Sequence, residues 1–126
     1  MPLTSVREIK ILRQLSHQHL VQLKEVVASD VDGKKATDSH MYMVFEYLDH
    51  DLAGLINAGR RFSLPEIKCL MWQLVDVLDY LHRVKNMIHR DIKCSNLLVS
   101  RNFELKLADF GLARFMKKKH APGGRD

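Results

Sequence analysis

No run of eighteen apolar residues occurs in this sequence, so no helical membrane span is expected. Its first residues, Met1-Pro2-Leu3-Thr4-Ser5-Val6-Arg7-Glu8, lack the apolar core of a secretory leader. Cysteine is scarce. Cys69 and Cys94 stand alone and fit neither a disulfide framework nor a metal-binding pair, which suits a reducing compartment. His17 and His19 have no acidic or cysteine partner at ligand spacing, so they do not suggest a metal centre. Lys and Arg outnumber Asp and Glu by 20 to 15, but the excess is scattered rather than laid out as a nucleic-acid stripe. The one dense basic run is Lys117-Lys118-Lys119. Internal repeats are lacking too.

What is present is an ordinary globular composition, 46% apolar and 28% charged, over 126 residues, the size of one domain. Val6, Ile9, Leu12 and Leu15 recur at helical spacing behind Thr4 or Ser5 as cap, which predicts a helix over 4–15. Residues 20–27 and 41–47 read as strands. Between them the polar stretch Ser29 to Ser39, with Asp32-Gly33 as its turn, is longer than a hairpin needs and is expected to be mobile. Asp51 is placed to cap a short helix. Ser63-Leu64-Pro65-Glu66 is a capping box, opening a long helix to about His82. Ile67, Leu70, Met71, Leu74, Leu78 and Leu81 are its expected buried face, widened by Val75 and Val77, with Trp72 and Tyr80 as packing aromatics. Leu97-Leu98-Val99 and Leu105-Lys106-Leu107 read as short strands around a turn at Arg101-Asn102.

The chemistry concentrates in the loop His89-Arg90-Asp91-Ile92-Lys93-Cys94-Ser95-Asn96, which is followed by Asp109-Phe110-Gly111. Asp91 can accept a proton from a hydroxyl nucleophile, and Lys93 can reach over the same point as a positive charge. Asn96 and Asp109 offer hard oxygen ligands, which suit Mg²⁺ held by few protein groups and by phosphates. His89, beside an apolar turn, reads as a packed orienting residue rather than a base.

In their order and spacing the two motifs resemble the H-R-D-x-K-x-x-x-N catalytic loop and the D-F-G metal loop of the protein kinases. Pro2-Leu3-Thr4-Ser5-Val6-Arg7-Glu8 is similar to the PSTAIRE or PITAIRE helix of cyclin-dependent kinases, matching the second at Pro2, Thr4, Arg7 and Glu8. Val44-Phe45-Glu46-Tyr47-Leu48 resembles the hinge between kinase lobes. Asp49-His50-Asp51-Leu52-Ala53-Gly54-Leu55, with the long insert before the hinge, is closer in wording to the transcription-elongation branch.

The resemblance implies an α+β, partial protein-kinase-like fold: the end of a small lobe, the hinge and the first part of a helical large lobe. Residues 1–47 would be the small-lobe part, 48–114 the start of the large lobe, and 115–126 a basic disordered tail. It implies ATP and Mg²⁺ as cofactors, with Asp91, Lys93 and Glu8 catalytic and Asn96 and Asp109 at the metal. Phe45 would back the adenine pocket, the Glu46 and Leu48 backbone would meet the adenine edge, Asp51 would lie near the ribose, and Leu98 would also contact nucleotide. Arg7, Arg90 and Arg114 would gather an activation-loop phosphate. A cyclin-type subunit would dock on the 2–15 helix. The substrate would be protein Ser or Thr, in the elongation branch the C-terminal repeats of RNA polymerase II. The compartment would be the nucleus, with the cytoplasm second. No direct nucleic-acid or membrane partner is implied.

Nothing before Glu8 supplies a Gly-rich loop or strand lysine, and nothing after Arg114 resembles the rest of the large lobe. The chain as written is therefore expected to be inactive. A non-catalytic remnant that at most binds a cyclin is the alternative.

Overall fold

The computed structural model describes residues 3–29 and 40–117. Pro2, the side chains of Thr4 and Ser5, the Asp32-Gly33 turn with most of its polar stretch, and the tail from Lys118 lie outside the described residues.

Helix α1 spans Leu3–Arg13 and buries Ile9, Ile11 and Leu12. It ends two residues before the predicted Leu15, because Gln14 and Leu15 donate three residues back, to the carbonyls of Ile11 and Leu12. Strands β1 (Leu23–Ser29) and β2 (His40–Phe45) form an antiparallel ribbon with an irregularity between Leu23 and Glu25. Leu20 and Val21, expected in that first strand, belong elsewhere. Leu20 bridges in parallel to Leu107, and the Val21 N–H donates to the Leu107 carbonyl at 3.0 Å.

After the hinge, β3 (His50–Asp51) leads into α2 (Leu52–Asn57), and the Asp51 carboxylate accepts the Gly54 N–H at 2.6 Å as the sequence predicts. Helix α3 (Leu64–Asp79) starts on the predicted capping box. Ser63 Oγ accepts the Glu66 N–H, and the Glu66 carboxylate accepts the Ser63 N–H at 2.9 Å. Its end is a π turn over Tyr80–Val84, with the Lys85 N–H reaching the Tyr80 carbonyl. Its buried stripe is Leu70, Gln73, Leu74 and Val77, followed by Leu81. Ile67, Met71 and Val75, expected inside, are exposed, and Trp72 is 68% exposed rather than packed. The packing partner decides this. The β6 strand lies on the Gln73 side, and no described element covers the other.

Strands β4 (Met87–Ile88), β5 (Leu97–Val99), β6 (Leu105–Leu107) and β7 (Arg114–Phe115) complete the fold. β3, β5 and β6 form one sheet, and β4 pairs with β7. Phe115 and Met116 are thereby tied down, since the Met116 N–H donates to the Asn86 carbonyl at 2.7 Å. Phe115, expected in the tail after Arg114, thus belongs to a paired strand. The core collects Val77, Leu81, Met87, Leu105, Leu107, Phe110 and Ala113, each at most 1% exposed. Both loops that carry the candidate chemistry leave directly from it.

Candidate active site

Two short strands and a buried histidine fix the loop after β4. His89 is 1% exposed. Its Nε2 donates to the Ala108 carbonyl at 2.8 Å, its Nδ1 accepts the Asp91 N–H at 3.1 Å, and its ring meets Phe110 edge-on. Both nitrogens are thus used in holding the Asp91 loop to the Asp109 loop, the orienting role the sequence suggests. Arg90 sits at φ +71°, a left-handed conformation costly for a bulky residue, and its Nε donates to the Leu112 carbonyl at 2.7 Å.

Asp91 is braced from below. Asn96, buried, donates from Nδ2 to the Asp91 carbonyl at 2.9 Å and to its Oδ2 at 3.2 Å. Lys93 Nζ stands 3.8 Å from Asp91 Oδ1. A carboxylate held this way keeps one oxygen toward an ammonium and the other on an amide, so its direction is set before a substrate arrives. With Nδ2 committed, Asn96 retains Oδ1 as a hard ligand atom, and the Ala108 N–H fixes the Asn96 backbone at 2.9 Å.

Asp109 is delivered by β6 in a left-handed conformation (φ +57°), and its Oδ1 accepts the Gly111 N–H at 3.2 Å. A side chain on Gly111 would meet that oxygen at 3.2 Å, so glycine lets the turn close over the carboxylate. Glu8 comes to the same place from α1. Its carboxyl is pushed above the usual glutamate range, first by burial and then by the Asp109 charge, while a Phe110 N–H bond pulls the other way. Among the described residues no three His, Cys, Asp or Glu form a metal cage. The Asp109 carboxylate and the Asn96 amide oxygen are ligands of the type Mg²⁺ takes, a cation that keeps most of its shell for water and phosphate.

Beside Asp109 opens a cavity of about 250 Å³ lined by Glu8, Val21, Phe45, Glu46, Leu98, Ala108 and Asp109. Five of these are sequence-predicted site residues, drawn from α1, the hinge, β5 and the metal loop. Leu48 and Asp51 are not among the lining residues. The Glu46 N–H is committed to the Gln22 carbonyl at 3.1 Å, so only its carbonyl is left for a ligand. Arg7 and Arg114 line a second, open hollow with Lys10, Ile11, Gln14 and Phe115, whereas Arg90 is turned to Leu112. Sequence reasoning missed Val21 and Lys106. Lys106 pairs with Glu46 at 3.0 Å, and standing between two leucines it looks like any outward strand residue. Gln73 was missed too, although a polar residue inside an apolar stripe is a readable signal.

A protein-family model described as protein kinase domain matches residues 3–123, running on past Arg114. Cyclin-dependent kinase C-2 of Oryza sativa subsp. japonica is 51% identical over 94% of this chain and 25% of its own length. Cell division control protein 2 homolog 2 of Pisum sativum is 51% identical over 90% of this chain and 81% of its own. Cyclin-dependent kinase 12 of Caenorhabditis elegans is 48% identical over 94% of this chain and 17% of its own. Among solved structures, the yeast RNA Pol II CTD kinase CTDK-1 complex contains a chain that superposes with a TM-score of 0.78 at 39% identity, covering 93% of this chain and 36% of that one. The chain thus spans about a quarter of the length of its C-type relative from rice. A match of that extent and identity shows that the chain belongs to the protein kinase family, on its cyclin-dependent branch.

Proposed function

We propose that these residues are the floor of a kinase site that transfers the ATP γ-phosphoryl group to a protein Ser or Thr. The carrying observation is Asp91: its carboxylate is oriented by Asn96 and accompanied by Lys93. Asp109 lies on the neighbouring cavity, whose far wall is the hinge.

Asp91 accepts the hydroxyl proton and aims the oxygen, and the Lys93 ammonium stabilises charge on the transferred phosphoryl. Adenine would sit between Phe45, Leu98 and Val21 and offer a donor to the Glu46 carbonyl. Asn96 and Asp109 would hold Mg²⁺, which supplies charge neutralisation at the phosphates when bound. Glu8 would take the pairing role of the small-lobe helix. Arg7 and Arg114, sharing one hollow, support a phosphate-gathering reading in which Arg90 joins once an anion is present. A cyclin-type subunit on α1, RNA polymerase II C-terminal repeats as substrate, and the nucleus as compartment complete the proposal. They rest on the elongation-branch wording and on a CTD kinase as structural neighbour.

The test places these residues in a complete kinase frame. Asp91→Asn should leave ATP binding near normal and lower turnover by about 10²-fold or more. Unchanged turnover would remove Asp91 from the mechanism. Asp109→Ala should instead weaken the Mg²⁺-dependent part of nucleotide binding, which a Mg²⁺ titration separates. A polypeptide of these 126 residues alone should show no turnover of a Ser/Thr-Pro peptide above its own Asp91→Asn control, with or without a cyclin. It contains no Gly-rich phosphate loop and no strand lysine. Cyclin binding without turnover would favour the non-catalytic reading for that polypeptide.

A further inference from the structure

Lys106 lies on β6, three residues before Asp109, and its ammonium meets both oxygens of Glu46 in the hinge, at 3.0 and 3.1 Å. Both side chains are about four-fifths covered, at 20% and 21% exposure, so this pair is shielded in a way the other ion pairs of the described residues are not. The same Glu46 Oε1 accepts the Gln22 N–H at 2.8 Å, and the Glu46 N–H returns to the Gln22 carbonyl at 3.1 Å. Gln22 follows Val21, whose N–H is bonded to the β6 residue Leu107. Opposite Lys106 across the sheet stands Leu98, which lines the cavity beside Asp109. One side chain therefore joins the hinge, the segment after α1 and the strand that delivers the metal-loop carboxylate.

We infer that Lys106 is a positioning residue for the purine: through Glu46 it locks the hinge so that the Glu46 carbonyl faces the cavity as a fixed acceptor. The inference rests on the nucleotide reading above. With its N–H bonded to Gln22, Glu46 can offer a base only its carbonyl, and a carbonyl selects a ring that carries a donor. On adenine that donor is the 6-amino group. Locking is needed because a hinge free to rotate would spend part of any hydrogen bond on being ordered. A bidentate charge-assisted contact shielded from water supplies that rigidity. Lysine at this place thus affects which purine binds, without touching the purine.

A complete kinase frame carrying these residues, compared with its Lys106→Met variant, tests this, with adenosine and purine riboside as probes. Purine riboside lacks only the 6-amino group. Ligand-observed NMR titration should show adenosine binding weakened about tenfold by the substitution, the loss of one good hydrogen bond, with purine riboside unchanged. Amide exchange at Gln22 and Glu46 should quicken at the same time. Lys106→Arg, which keeps the charge and the bidentate geometry, should restore both. Should Lys106→Met not fold, Glu46→Gln removes the charge while keeping an acceptor for the Gln22 N–H, and should produce the same split between the two purines. Equal weakening of both ligands, or no weakening of either, overturns the inference while leaving the nucleotide site standing. A complete kinase frame carrying these residues that binds neither purine, with both amides still protected, overturns the nucleotide reading and this inference with it.

Discussion

Glu8 is held against its own ionisation. Burial and the Asp109 charge raise its pKa above the ordinary 4.5, and the Phe110 N–H only partly offsets them. Among the described residues no Lys, Arg or His forms an ion pair with it. A carboxyl whose folded pKa is raised binds its proton more tightly in the folded state. Its contribution to stability is therefore complete below 4.5 and is lost as pH rises through the folded value. Glu8→Gln should raise the urea midpoint at pH 7 and flatten its dependence on pH above 4.5, while a cation brought to the wild-type pair should do the same. His17 works in the opposite sense. Burial lowers its pKa from 6.5, so its contribution is present above 6.5 and lost as pH falls through its folded value. The Glu8 effect is accordingly read as variant minus wild type across the pH series. Parallel curves for the two proteins would mean that neither burial nor the Asp109 charge raises the Glu8 pKa.

Among the elements, α3 owes its seat to one polar side chain. Gln73 donates from Nε2 to the Phe103 carbonyl at 2.7 Å, and its Oε1 accepts the Leu105 N–H at 2.9 Å. Those backbone groups flank the turn into β6, where Phe103 takes a left-handed φ of +60°. Gln73→Leu keeps the shape and strands both groups, so a loss of about 2 kcal/mol is expected in a urea titration. A loss below about 0.5 kcal/mol would mean that water replaces the amide. This contact also marks where the sequence stops being readable. The capping box at Ser63 and Glu66, the Asp51 cap and the strands around Arg101-Asn102 are local, so spacing alone reveals them. The choice between the Leu70 and Met71 sides of α3 is made by β6, far along the chain, and both sides are apolar enough to have served. The same holds for the site. Asp91, Asn96 and Asp109 are legible as linked motifs. Glu8, Phe45 and Leu98 were reached by family resemblance, and Lys106 was not reached at all because its partner lies across the hinge.

For the molecule as a whole, the face of α3 that β6 does not use governs behaviour in solution. Leu64, Ile67, Met71 and Val75 recur at helical spacing and are all exposed, with Trp72 alongside. Single exposed apolar residues are ordinary, but a contiguous stripe of them on a rigid helix favours association. The β1–β2 ribbon adds Val27, Met41 and Val44 at its own surface. A polypeptide of these 126 residues should therefore self-associate at tens of micromolar, about the range in which such patches act. Met71→Glu with Val75→Lys should shift it toward monomer in sedimentation velocity. The pair sits at i and i+4 in the favourable order, so helical circular dichroism should be kept or slightly raised. Neither side chain belongs to the buried core, so thermal unfolding should hardly move. A wild-type polypeptide that sediments as a monomer would show that this exposed stripe does not drive association. A variant that still associates would move the sticky surface from α3 to the ribbon, where Val27→Lys is the next substitution to measure.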